Sequence, residues 1–354
     1  MMRNPTRPFT LVVRSRACEG EPRRTRALGA TLAFTMLAAL PGAFAQAAAP
    51  TEKDDKPVML KQPASTESLP PIDPNRFGEK PADEAFGAFQ RGLYLTALNL
   101  ALPRAEKGDP AAQTLAAEIY SRGLGVPINQ AEAARWYEKA AEQGVTEAQF
   151  RYGAMLLQGR YIPRDKAKAE KLMKAAADAG NRMAQFNYGQ LMMVNHPGET
   201  GLDEAFPWFM KAAEAKLADG EYAVSQIYAN GTLKIPRDDE KAREYLERAA
   251  RQGYDTAQLD LASWYIEGRG GPRDYTAGFR WMHRTAMGGN VAAQARLARL
   301  YRDGIGTDGD SIEAAAWYIV ARRAGLAAHD LDSFMDGLAE DQIKQAMARA
   351  NRLR

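Results

Sequence analysis

Apolar and small positions recur along this chain at helical spacing. Between 146 and 158, Ala148, Tyr152, Gly153 and Leu156 fall at i, i+4, i+5 and i+8, which is one face of an α-helix and not the alternation of a strand. The pattern then repeats. A bulky column runs through Trp136, Leu172, Trp208, Tyr245, Trp281 and Trp317, in steps of 36, 36, 37, 36 and 36 residues. An opening pair keeps the same stride at Ala112-Gln113, Ala148-Gln149, Ala184-Gln185, Gly220-Glu221, Ala257-Gln258 and Ala293-Gln294. A fixed period of this length predicts a solenoid of stacked helix pairs.

Punctuation supports two helices per unit. Gly123, Gly159, Gly231, Gly268 and Gly304 stop the first helix, with Asn195 in the third unit; Gly and Asn both tolerate the left-handed helix end. Asn129, Asp165, Asp238, Asp274 and Asp310 stand where the second helix needs an N-cap, and Gly201 breaks that series. The second turn of each unit ends on Gly144, Gly180, Gly253, Gly289 or Gly325, with Lys216 the exception. A small column in the first helix (Ala117, Gly153, Gly189, Ser225, Ala262, Ala298) lets its partner helix come close. The Trp column followed by alanines reads as rings set against small residues, so Trp208→Ala is expected to cost about 3–5 kcal/mol.

Other stretches depart from this rhythm. Residues 81–109 read as a shortened first repeat that has lost its loop, with Pro103 expected to kink its second helix. Residues 81–329 are thus the solenoid, a short capping repeat plus six full units. Residues 330–354 read as two capping helices, with Leu331, Phe334, Met335 and Leu338 on one face and Ile343, Ala346, Met347 and Ala350 on the other's. Residues 46–80, rich in Pro, Ala and charged residues, read as a disordered linker.

Charge and cysteine change the picture only at the start. The formal net charge of +3 comes from the first 45 residues, where seven arginines face Glu19 and Glu21. Without them the chain is close to neutral, so its basic character is no argument for nucleic acid. Residues 1–45 are expected to be a signal peptide. Arg23, Arg24 and Arg26 precede an apolar run from Ala27 to Leu40, and Ala43-Phe44-Ala45 fits the cleavage rule; an uncleaved anchor is the alternative. The one cysteine, Cys18, lies in that leader, which leaves the rest without a thiol or disulfide.

The unit Ala-Gln, Tyr, Gly-x-Gly-Val, Asn, Trp-Tyr-x-Lys-Ala-Ala is carried by Ala112-Gln113, Tyr120, Gly123, Gly125-Val126, Asn129, Trp136-Tyr137 and Lys139-Ala140-Ala141. It resembles the Sel-one-like repeat, a longer-looped relative of the tetratricopeptide repeat. The resemblance spans roughly residues 81–329. It implies an all-α, right-handed α-solenoid of tetratricopeptide-like helix pairs with a C-terminal helical cap. It also implies a non-enzymatic adaptor or scaffold for protein–protein interaction. The cysteine-rich branch of the family, with its β-lactamase association, does not transfer to a chain without those cysteines.

Candidate chemistry is sparse. Gly304, Gly306 and Gly309 form one GxGxxG, but it follows a helix and not the strand that dinucleotide binding needs. Asp308 and Asp310 do not extend into a calcium loop. His196, His283 and His329 lie in different units as surface or loop residues with no second ligand at helical spacing. No cofactor or metal is expected. A column two residues past the opening Ala runs Thr114, Phe150, Phe186, Tyr222, Leu259 and Ala295. Phe150, Phe186, Tyr222 and Leu259 are therefore candidate partner-binding residues along a groove, the competing reading being packing between repeats. The third unit, with Val194-Asn195-His196-Pro197-Gly198, is either a specialised binding loop or drift in a tolerant one. The expected function is a periplasmic or secreted scaffold for a protein partner, such as an envelope sensor or assembly complex. The alternative is a protein that binds or modifies peptidoglycan or polysaccharide.

Overall fold

The computed structural model describes residues 83–353, together with a short antiparallel pairing of Leu11–Val12 (β1) with Thr31–Leu32 (β2). The chain divides into a unit before Ala82 and a helical unit from Ala82 onward. Apart from those four paired residues, the expected leader and linker lie outside the described residues. From Asp83 on, all regular structure is helical.

A first hairpin joins α1 (Glu84–Gln90) to α2 (Tyr94–Glu106), and α2 continues three residues past Pro103. Six pairs follow: α3 (Pro110–Arg122) with α4 (Gln130–Glu142), α5 (Thr146–Gln158) with α6 (Lys166–Asp178), and α7 (Arg182–Asn195) with α8 (Glu199–Glu214). Then come α9 (Ala218–Asn230) with α10 (Asp239–Arg251), α11 (Asp255–Glu267) with α12 (Tyr275–Met287), and α13 (Val291–Asp303) with α14 (Ser311–Arg323). Each helix packs on the one before and the one after it, as a solenoid requires. Helices α15 (His329–Asp336) and α16 (Glu340–Ala350) close the stack, α16 lying along α14 through Ala346 and Ala350, while Met347 faces solvent.

The helix ends follow their residues. The side chains of Asn129, Asp165, Asp238, Asp274 and Asp310 each accept from backbone N–H groups two or three residues on, which fills donors a helix leaves open. Gly123, Gly159, Gly268 and Gly304 close the first helices in the left-handed conformation; Gly231 ends its helix with φ 72 and ψ 169.

The core corrects the expected knob. Trp208, Trp281, Tyr245 and Leu172 are only half-buried. The residue after each is the one sealed in, Met173, Phe209, Leu246 and Met282, while in the first and last full units both neighbours are buried, Trp136 with Tyr137 and Trp317 with Tyr318. The small column receives these side chains. A Cβ on Gly189 would come within 2.7 Å of the Phe209 ring. The outer faces of the half-buried rings carry cations instead: Lys211 Nζ sits 4.0 Å above Trp208 and the Arg248 guanidinium 4.7 Å from Tyr245. Trp208→Ala therefore costs less than burial of the whole ring implied.

The opening Ala-Gln also has a structural task. Buried Gln113, Gln185, Gln258 and Gln294 donate from Nε2 to the carbonyls of Ala105, Ala177, Ala250 and Ala286, in the last turn of the preceding second helix. Each bond ties a unit to the one before it and gives a second donor to a carbonyl that already accepts from the glycine of the turn. In the fourth unit Glu221 replaces the glutamine and cannot donate. Arg248 supplies the donor, reaching the Ala213 carbonyl at 3.0 Å while its Nε bonds buried Glu221 at 3.0 Å.

The third unit breaks several expectations together. Asn195 is not a left-handed cap: α7 runs through it and is capped by His196 with φ −124. Three residues then suffice to reach α8, which has 16 residues where the other second helices of the full units have 13. Gly201 lies inside α8, pressed on the end of α7; a Cβ there would fall 1.9 Å from the His196 carbonyl oxygen. Lys216 takes φ +57, the described residues' one non-glycine in that region, where the other units place glycine.

Candidate functional site

Helices α5, α7, α9 and α11 carry the four residues of the apolar stripe, and their surroundings differ. Phe150 is 6% exposed and sits among Met173, Ala176, Ala184 and Tyr188. Tyr222 is also 6% exposed. Phe186 is half-buried with its ring 5.4 Å from that of Phe209, and Leu259 is half-buried against the core of the last two pairs. The stripe is thus packed between repeats at Phe150 and Tyr222, and presents part of its surface at Phe186 and Leu259.

A denser cluster surrounds Tyr222. Its ring is 5.0 Å from Tyr254, tilted by 31°, and its hydroxyl donates to Asp260 Oδ2 at 3.0 Å. Both phenols are pushed up, by burial first and, for Tyr222, next by the Asp260 carboxylate. Burial also raises the carboxyls of Asp219 and Asp260 above their ordinary value. Asp219 opens α9, and the charge it carries lifts the Tyr254 phenol further. Two carboxyl groups short of water and two tyrosine rings therefore lie on the first helices of the fourth and fifth units. Such an arrangement accepts hydrogen bonds and rewards a positive charge brought in from outside. Sequence spacing placed Tyr222 in a column but gave no sign of Tyr254, Asp219 or Asp260. They come from different helix positions and meet only because consecutive units stack.

Other candidates resolve simply. Gly306 sits on the preceding pair: a Cβ there would lie 2.1 Å from the Tyr275 carbonyl oxygen, and its φ is +75. The GxGxxG glycines thus serve a tight loop between α13 and α14. His283 is not a loop residue; it lies half-buried on α12 between Phe279 and Trp317. His196 pairs with Glu204, and His329 opens α15. Among the described residues no three metal-type side chains gather, and no helix is long and apolar enough to cross a membrane.

Comparison with known proteins agrees with this architecture. Sel1 repeats match residues 110–145, 146–181, 218–254, 256–290 and 291–326, leaving out the third unit. The crystal structure of a Sel1 repeat protein from Oxalobacter formigenes is 28% identical, covering 70% of this chain and all of that one, with a TM-score of 0.59. A protective antigen of uropathogenic Escherichia coli strains with an SLR fold is 25% identical, covering 73% of this chain and 63% of that one, with a TM-score of 0.50. Chitin synthase regulatory factor 3 of Schizosaccharomyces pombe is 26% identical over 230 residues, or 63% of this chain. The matched region spans a quarter of that regulator's length.

Proposed function

The chain belongs to the Sel1 repeat family, and from that premise we propose that it is a non-enzymatic scaffold that binds a protein partner on its first-helix face. Stacked helix pairs of this kind suit protein–protein interaction, because they display one long face built from successive first helices. The observation that carries the reading is the Tyr222–Tyr254–Asp260 cluster with Asp219 beside it. Phe186 and Leu259, the half-buried members of the same column, offer apolar contacts on the first helices of the units on either side of Tyr222. A basic, partly apolar polypeptide segment is the complement to that surface.

The arginine-led apolar leader supports a periplasmic or secreted location, where the partner is a component of an envelope sensor or assembly complex. Cross-linking through a photoreactive residue at 186 or 259 in the producing cell tests this. One protein should be captured from both positions and lost on Asp260→Asn. The reading fails if neither position captures a protein.

The tyrosine pair beside carboxyl groups also favours a second reading, a peptidoglycan- or polysaccharide-binding protein. Saturable binding of purified muropeptides, abolished by Tyr254→Ala, would establish it in place of the first.

A further inference from the structure

The first helices of successive units differ sharply in charge. Helices α9 and α11 hold Asp219, Glu221, Asp255, Asp260 and Glu267 and no lysine or arginine. The next first helix, α13, holds Arg296, Arg299 and Arg302 against Asp303. On the other side α7 has a single charged residue, Arg182, at its start. The carboxylates of the fourth and fifth units are thus bracketed by arginine at both ends.

Part of that charge is used inside the fold. Buried Glu221 is bonded by Arg248, and Arg299 and Arg302 are drawn to Asp330 of α15. Asp255 accepts from Asn290 at the turn between units, and Glu267 ends α11 about two turns beyond Asp260. Asp219 and Asp260 are left without an ion pair among the described residues. Asp260 accepts from a neutral donor, the Tyr222 hydroxyl, while the two nearby cations, Arg269 and Arg296, bond Asp239 and Ser263 instead. Arg296 is exposed.

The register of the stack sets an apolar position beside this anionic one. Tyr222 meets Asp260 of the next first helix, and the same two columns pair Phe186 with Ala223, which share one apolar cluster. Ala223 is the smallest residue of its column, and the Phe186 ring stays half-buried, whereas Phe150, whose column partner is Asn187, is buried. The same columns pair Leu259 with Arg296. Three chemically distinct positions therefore follow one another at steps of one unit. They are the partly uncovered Phe186 ring, the unpaired Asp219 and Asp260 with the Tyr222 and Tyr254 rings, and the Arg296 guanidinium.

Packed helices lie about 8–10 Å apart and an extended chain advances about 3.3 Å per residue, so one unit step matches about three residues of a bound strand. Resting on the scaffold reading above, we propose that this face binds an extended peptide segment with one isolated lysine or arginine. An apolar residue lies about three positions to one side of it and an acidic residue about three positions to the other. The basic side chain pairs with Asp219 or Asp260 beside the tyrosine rings, the apolar one covers Phe186, and the acidic one meets Arg296. Arg182 and Arg296 repel further basic residues at either end, so the surface selects a single cation and rejects a polybasic tract.

Selection of displayed random peptides on the purified full chain tests the proposal. Bound sequences should be enriched in one Lys or Arg, with an apolar residue and an acidic residue at the stated spacing on opposite sides. Asp260→Asn should lower the enrichment for the basic residue severalfold and keep the apolar preference. Ala223→Leu, which fills the space beside Phe186, should do the reverse. Arg296→Glu should exchange the acidic preference for a second basic residue. Circular dichroism checks that each variant keeps its helicity, and Arg296→Glu alters an exposed side chain, so it decides the order even where Ala223→Leu unfolds. No enrichment, enrichment for basic runs, or a selection by Arg296→Glu identical to the parent's overturns the proposal. If photoreactive residues at 186 and 259 capture a protein while the selection lacks this spacing, the spacing alone falls. If they capture none, the scaffold reading falls with it.

Discussion

The third unit and its neighbours solve the same packing problem with different residues. In the regular units a left-handed glycine ends the first helix, a loop of several residues follows, and an Asp or Asn caps the second helix. In the third unit none of these devices is present. A long α8 starts early, Gly201 lets its first turn touch the end of α7, and a lysine adopts the conformation glycine holds elsewhere. Yet Phe209 occupies the same buried position as Tyr137 or Met282. The stack therefore constrains the helix-to-helix contact much more tightly than the connection, since buried volume is costly to change and exposed backbone is not.

That contrast can be broken most forcefully at Phe209. Phe209→Ala empties the position that faces Gly189 and should cost about 3–5 kcal/mol by chemical denaturation. Trp208→Ala, one residue away on the half-buried side, should cost clearly less. Equal losses would mean that the two columns are not divided into core and rim. Arg248→Ala should cost somewhat less, about 2–4 kcal/mol, because it removes the one charged partner of buried Glu221 and leaves only Gln252 donating to it. Adding Glu221→Gln should recover most of that loss by restoring the donor used in the other units. A double variant as unstable as Arg248→Ala alone would sink the equivalence.

Gly201→Ala should cost about 1–3 kcal/mol through overpacking on the His196 carbonyl. At Lys216 the sign reverses. Lys216→Gly should raise stability by up to about 1 kcal/mol by removing left-handed strain, less the extra freedom glycine has when unfolded. An unchanged or lowered midpoint would show that Lys216 is not strained. The smallest effect is expected at the C-terminal cap. Arg299 and then Arg302 hold the Asp330 carboxyl down to about 2. A depressed carboxyl stabilises the fold above its unfolded value, near 4, and that contribution fades as pH falls towards 2. Amide exchange in α15 should accelerate across that interval before it does in α13.

Much of the fold was legible because helices repeat. The 36-residue stride, the caps at Asp165, Asp238 and Asp274, and the small column that admits a neighbouring helix are all local in sequence. The candidate site was legible only in part. Tyr222 lay in a readable column, but Tyr254, Asp219 and Asp260 share no period with it. The donor role of the Ala-Gln pair was equally hidden, since the accepting carbonyl belongs to the previous unit.

Sequence alone determined the helix pairs, their number and where most of them begin and end, for these follow from side chains within one turn of each other. Tertiary structure decided how two adjacent bulky columns share the core: both are buried at Trp136-Tyr137 and Trp317-Tyr318, and only the second in the four units between. At about 100° per residue both can face inward, and only the position of the neighbouring helices decides how far each is covered. It also decided how far the Phe150–Leu259 stripe is covered, because that depends on how successive units lie against each other.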